Sequence, residues 1–86
     1  MMSIQDLAEI NPEAVVLDGL DEAFVGYGRQ SGRLIQVAVY DGHKIIACLI
    51  DTGMTRETAT EYVSFNIEGA YVGKNTPIII WAEPGH

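Results

Sequence analysis

The stretch LIQVAVYDGHKIIACLIDT, residues 34–52, decides the fold because its apolar pattern changes half-way along. In the first half, apolar side chains recur at alternate positions, at Ile35, Val37 and Val39. This period of two is typical of a β-strand with one buried face. We therefore predict a strand over Leu34–Tyr40, followed by a helix in the second half of the stretch.

Helices are predicted where a capping residue or a run of first-turn carboxylates precedes apolar residues of helical spacing. Asp41 is the predicted N-cap of the helix in this stretch, which Gly53 ends. Ser3 and Thr55 are predicted to cap two other helices in the same way. The four predicted helices are Ile4–Ile10, Leu20–Gly28, Gly42–Thr52 and Arg56–Glu68.

Two further strands are predicted, at Ala14–Leu17 and Ile78–Ala82, where β-branched residues cluster. The predicted order α-β-α-β-α-α-β indicates an α/β fold, with α+β as the alternative. We expect a two-layer sandwich, with a three-stranded sheet covered by helices mainly on one face. No linker interrupts the chain, so residues 1–86 form one small domain, with an N-terminal helical segment at 1–12 and a frayed tail at 83–86.

The composition favours a protein partner over a nucleic acid or a membrane. Five Lys/Arg against twelve Asp/Glu give a net charge of −7, and nucleic acids and anionic lipids both require clustered basic residues. The chain is 48% hydrophobic but has one cysteine, so no disulfide supports its small core. We therefore expect a homo-oligomer in the cytoplasm, with a basic surface on any partner protein.

No catalytic, metal or cofactor signature is visible, and the sequence predicts a protein that is not an enzyme. Cys48 is predicted to be a buried structural thiol, because a nucleophilic cysteine needs a histidine and an activating environment. His43 is the only internal histidine and falls near a helix N-terminus. No nucleophile, base and orienting residue can be assembled from these side chains.

The helix Arg56–Glu68 supplies the leading candidate for a partner-binding surface. Phe65 falls off its apolar stripe, beside Glu61 and Glu68, as an exposed aromatic anchor between acidic residues would. Packing under the flanking segment is the alternative for this phenylalanine. Asn66 falls within the apolar stripe and is predicted to be buried and hydrogen-bonded.

The loop Gly26–Arg33 is the alternative site, for a small ligand or a nucleotide. Its glycines have the spacing G-x-G-x-x-x-G and are predicted to follow a helix and precede a strand, whereas a phosphate-binding loop opens a helix. The segment is therefore interpreted mainly as a turn. Arg29 and Arg33 form the only local basic cluster in the sequence. With Gln30 and Ser31 between them, they make up the candidate ligand site Arg29, Gln30, Ser31 and Arg33.

Six segments together span most of residues 17–80: LDGLDEA (17–23), GYGR (26–29), AVYD (38–41), GMT (53–55), FNIEGAYVG (65–73) and TP (76–77). These segments resemble a group of short uncharacterised proteins encoded in bacteriophages and prophages. The resemblance transfers no catalytic residue and implies a viral accessory role. By analogy with small acidic phage proteins, it implies an inhibitor of host machinery or of bacterial defence, including the anti-CRISPR type.

Overall fold

The computed structural model describes residues 3–69 and 73–82 and has an α+β fold. The predicted tail at 83–86 lies outside the described residues. A 3₁₀ turn, Asp21–Ala23, precedes β1, and a π-helical turn, Val63–Glu68, extends α3. The main elements are α1 Ile4–Ile10, β1 Phe24–Gly28, β2 Val37–Asp41, α2 Gly42–Asp51, α3 Arg56–Tyr62 and β3 Ile78–Ile80.

The three predicted helix caps are confirmed. The Ser3 hydroxyl accepts a hydrogen bond from the Asp6 N–H, and the Asp6 carboxylate accepts one from the Ser3 N–H, each at 3.1 Å. Asp41 and Thr55 accept hydrogen bonds from the first turns of α2 and α3. These caps satisfy backbone donors that a helix leaves without internal partners. None of the helices within residues 3–69 and 73–82 is long and apolar enough to cross a membrane.

The sheet has the order β1-β2-β3, with β2 in the centre. β1 and β2 are antiparallel, whereas β2 and β3 are parallel and pair Tyr40 with Ile79. Because α2 and α3 separate β2 from β3 along the chain, the crossover leaves room for this parallel pairing.

The hydrophobic core lies between the helices and one face of β2. Ala38 and Tyr40 are fully buried there, so the core lies on the face opposite to the one that the alternation of Ile35, Val37 and Val39 indicated. Val37 and Val39 lie on the opposite face. The buried core cluster is completed by Leu7, Leu20, Ala23, Ile45, Ile46, Leu49, Ala59 and Val63.

The predicted helix over Leu20–Gly28 is wrong, because only the 3₁₀ turn Asp21–Ala23 forms before strand β1. A bulge between Phe24 and Gly26 shifts the register with β2. The extra residue lets Phe24 and Tyr27, three positions apart, both pack against the core, although a regular strand would place them on opposite faces. The bulge thereby gives Phe24 and Tyr27 the three-residue spacing that is typical of one face of a helix.

The predicted strand over Ala14–Leu17 is also absent. The Val15 N–H donates to the Asn75 carbonyl at 3.3 Å, but the Leu17 N–H donates to the Tyr40 hydroxyl oxygen at 2.9 Å. Because the second bond goes to a side chain, no ladder forms. The observed order of helices and strands is therefore α-β-β-α-α-β.

Candidate functional site

Phe65 is the most exposed aromatic side chain of the described residues, with 78% of its surface accessible. It lies in the π-helical turn Val63–Glu68, within the 56–68 range that the sequence predicted as helix. The outward position predicted for Phe65 is confirmed, and Glu61, also exposed, lies one turn before it. Packing of Phe65 under a flanking segment, the alternative, does not fit this exposure.

The π-helical turn that contains Phe65 is wider than an α-helical turn and closes at Gly69. Its Gly69 N–H donates to the Ser64 carbonyl at 3.0 Å, five residues back rather than four. A Cβ on Gly69 would lie 3.1 Å from the Ser64 carbonyl oxygen and 3.2 Å from that of Phe65. Gly69 therefore permits the wider turn to close, at a place where a larger residue would crowd the backbone.

Asn66 is exposed, and its predicted burial is wrong. The prediction assumed α-helical spacing, under which Asn66 falls between core residues of the stripe. More residues fit into a π-helical turn, so the residues after Val63 are rotated relative to an α-helix. Val63 stays buried and Ile67 half-buried, while Asn66 lies with Tyr62 beside a surface cavity of about 380 Å³.

Glu68 is tied to Trp81 by a hydrogen bond that the sequence did not predict. The Trp81 indole Nε1 donates to Glu68 Oε2 at 3.0 Å, and the indole meets the His43 ring edge-to-face, with centroids 5.3 Å apart. Trp81 also covers Gly42 so closely that a Cβ there would lie 2.6 Å from the ring. Glu61 and Glu68 therefore differ, because Glu68 has an internal partner that positions its carboxylate.

We call the group Glu61, Phe65, Glu68 and Trp81 the Phe65 surface. The group comprises two exposed aromatic side chains and two exposed carboxylates, and Trp81 keeps 37% of its own surface accessible. Aromatic residues give large contact areas at a low entropic cost, and flanking carboxylates attract basic groups. The indole of Trp81 lies against Gly42 at the start of α2. This glycine is the sequence signal for the contact, because a residue without a side chain leaves room for a bulky neighbour.

The loop 29–33 forms a turn closed by its own backbone. The Arg33 N–H donates to the Gln30 carbonyl at 2.9 Å, and Arg29 Nη1 donates to the Arg33 carbonyl at 2.8 Å. Gly32, at φ +82°, supplies the left-handed conformation that the turn requires. Gly26 and Gly28, by contrast, belong to β1, so this segment does not form a phosphate loop at the start of a helix.

A cavity of about 120 Å³ brings two residues of the predicted ligand site, Gln30 and Arg33, together with Lys74 and Thr76. Arg29 and Ser31, the other two, do not line it. Lys74 was missed because it lies 41 positions after Arg33 in the sequence. The remaining lining residues are mainly apolar: Ile35, Val37, Gly73, Pro77 and Ile78.

Cys48 lies half-buried in α2 and is poorly suited to nucleophilic chemistry. Burial raises the pKa of its thiol, and the negative charges of Glu22 and Asp51 raise it further. The protonated thiol therefore dominates at neutral pH, whereas catalysis needs the thiolate. Among the residues that the structure describes, no group of three or more His, Cys, Asp or Glu side chains could hold a metal ion.

Comparisons of the chain with models of protein families, with curated proteins and with solved structures gave no match. Two features of the structure bear on function, the Phe65 surface and the cavity beside Arg33. The first offers an aromatic anchor to a macromolecule, and the second offers cationic groups to a small ligand.

Proposed function

We propose that the protein is a non-enzymatic binding protein of phage type, which inhibits or sequesters a basic protein in the cytoplasm of a host cell. Bacterial defence complexes, including those blocked by anti-CRISPR proteins, are the candidate targets that the phage resemblance suggests. The observation that carries the binding role is the 78% exposure of Phe65. A large aromatic side chain left in water by its own fold is suited to fill a pocket on a partner.

The charge of the protein supports a basic partner. Its net charge of −7 repels nucleic acid and attracts positively charged protein surfaces over a distance of about 10 Å at moderate salt. Glu61 is exposed one turn before the phenylalanine, and Glu68 is held in place by Trp81. A basic target would therefore meet carboxylates around the aromatic anchor.

Replacing Phe65 by alanine is expected to weaken binding by about 2 kcal/mol, or roughly 30-fold in Kd. The melting temperature should change little, because the side chain packs against little of its own fold. The target is first captured from host lysate and identified by mass spectrometry, and its Kd is then measured by calorimetry with both proteins purified. Unchanged affinity of the F65A variant would move the binding surface away from Phe65.

Leu34→Ala is the matched control, because Leu34 is an aliphatic side chain with 88% of its surface accessible. It should leave the Kd unchanged if binding depends on the Phe65 surface rather than on exposed apolar area in general. Glu61→Lys should mainly lower the association rate and its dependence on salt. Glu13→Lys makes the same charge change at another exposed position and separates a local effect from the loss of net charge.

The proposal includes self-association of the protein. Several large apolar side chains besides Phe65 are exposed, among them Ile10, Val25 and Leu34, and the domain has no disulfide to compensate for a small core. Burial of such residues between copies would supply additional stability. Multi-angle light scattering at micromolar concentration should therefore give a mass above the 9.4 kDa of one chain, and a single 9.4 kDa species would contradict self-association.

A further inference from the structure

The cavity of about 120 Å³ lies where two turns meet at the start of strands β2 and β3. The first turn, 29–33, contributes Gln30 and Arg33, and the second, 73–76, contributes Lys74 and Thr76. No acidic side chain among the described residues lines this cavity. The cavity is therefore bordered by positive charge in a protein whose net charge is −7.

The two turns also concentrate the few basic residues of the chain. Arg29, Arg33 and Lys74 are three of the five Lys and Arg residues, although the two turns make up a small part of the sequence. Arg33 and Lys74 come from different turns and line the same cavity. Such a pair in a concave site attracts an anion, and an arginine can bind a carboxylate or a phosphate through two parallel hydrogen bonds.

The walls of the cavity are held in position by the fold. Arg29 closes the first turn through the Arg33 carbonyl, and the Thr76 hydroxyl closes the second by donating to the Gly73 carbonyl at 2.6 Å. The Asn11 side chain then joins the two walls, since its Nδ2 donates to the Gln36 carbonyl at 2.8 Å and to Asn75 Oδ1 at 3.0 Å. A site fixed in this way loses little conformational freedom when it binds a ligand.

The apolar part of the lining limits the ligand to a small molecule with two different ends. Ile35, Val37 and Ile78 line the interior beside the cationic residues. A cavity of about 150 Å³ is known to hold one benzene molecule, so this one fits a group of about that size or smaller. A bare ion would leave the apolar surface uncovered.

We propose that this cavity binds a small organic anion, with a carboxylate or phosphate group between Arg33 and Lys74 and a short apolar group against Ile35, Val37 and Ile78. This site is separate from the Phe65 surface and does not depend on the proposed partner. Carboxylate and phosphate share the chemistry that the two cations recognise. The test therefore compares the two head groups directly.

Titrations followed by ¹⁵N–¹H NMR test the site with isovalerate, isobutyl phosphate, acetate, inorganic phosphate and the neutral isovaleramide. We expect saturable shifts of the Arg33, Val37, Lys74 and Ile78 amides with isovalerate or isobutyl phosphate, with a Kd on the order of millimolar for so few heavy atoms. The stronger of these two probes identifies the head group. Acetate and inorganic phosphate should bind more weakly, because they lack the apolar group.

Arg33→Gln and Lys74→Gln should each raise the Kd about tenfold or more, because each removes a charged hydrogen-bond partner of the ligand. Both side chains are exposed, so the melting temperature should stay close to that of the unchanged protein. Arg56→Gln removes an exposed positive charge elsewhere and should leave the Kd unchanged. Equal binding of isovaleramide, an equal loss in R56Q, or no saturable shift with any anion would overturn the proposal.

Discussion

Replacing Asn11 by alanine is expected to lower the free energy of unfolding by about 2–3 kcal/mol. The Asn11 amide nitrogen joins the Gln36 carbonyl to Asn75 Oδ1, and its Oδ1 accepts from the Glu13 N–H at 3.2 Å. Truncation would leave two half-buried acceptors without this donor. A domain of this length has about 4–13 kcal/mol of stability in total, so the loss is a large fraction of it.

Urea unfolding followed by circular dichroism, at one fixed protein concentration, measures this loss. Asn11→Asp keeps the acceptor for Glu13 and removes both amide donors, so it should destabilise the protein at least as much as N11A does. Asn66→Ala is the control and should change stability by less than about 0.5 kcal/mol, because Asn66 is exposed. An N11D variant as stable as the unchanged protein would show that the long-range bonds contribute little.

The contrast between Asn11 and Asn66 shows what the sequence could establish. The predicted end of α1 at Ile10 is confirmed, but nothing local indicates that the Asn11 side chain reaches Gln36 and Asn75. Asn66 was placed in the core by counting in α-helical turns. Both errors concern contacts or turn widths that are fixed by tertiary structure, which a local pattern does not contain.

Features determined by neighbouring residues were predicted well. The bounds of α1 agree with the prediction, and the α-helical and π-helical parts of the third helix together span the predicted 56–68. The helix caps succeeded because a cap is a contact over two or three residues. Strand β1 failed because its bulge placed Phe24 and Tyr27 on one face, which imitated a helix despite the low helix propensity of Gly26 and Gly28.

The candidate sites show the same difference between features set by neighbouring residues and contacts set by tertiary structure. Exposure of Phe65 could be predicted, because the residue departs from an apolar stripe on its own helix. The partnership of Glu68 with Trp81 could not, since Trp81 reaches it from beyond β3. The lining of the cavity was predicted only in part, because Gln30 and Arg33 belong to one turn while Lys74 comes from another. Sites assembled from distant segments need the fold before their members can be recognised.

Replacing Tyr40 by alanine is expected to lower the free energy of unfolding by about 3–5 kcal/mol, as truncation of a buried aromatic does. Its side chain is fully buried in the core cluster and meets the Phe24 ring edge-to-face at 5.7 Å. Its hydroxyl oxygen accepts the Leu17 N–H at 2.9 Å and so ties the 14–17 segment to the sheet. Tyr40→Phe keeps the ring and should cost about 1–2 kcal/mol, because it removes only that acceptor.

The same hydroxyl makes stability depend on alkaline pH. Burial raises the pKa of Tyr40, the hydrogen bond from Leu17 lowers it in part, and the charges of Asp21 and Asp18 raise it again. The net effect is a folded-state pKa above the value of about 10 in the unfolded chain. The unfolded state therefore releases this proton first, and deprotonation favours unfolding as the pH rises above about 10.

Unfolding free energies of the unchanged protein and of Y40F, measured between about pH 7 and pH 11, isolate this contribution. The stability advantage of the tyrosine should be constant up to about pH 10 and should shrink above it, because Y40F has no proton to release there. Lysines and the other ionisable groups titrate in both proteins, so their effects cancel in the difference. A difference that stays constant to about pH 11 would mean that folding leaves the pKa of Tyr40 at its unfolded-state value. The Leu17 hydrogen bond would then offset the effects of desolvation and of the Asp21 and Asp18 charges.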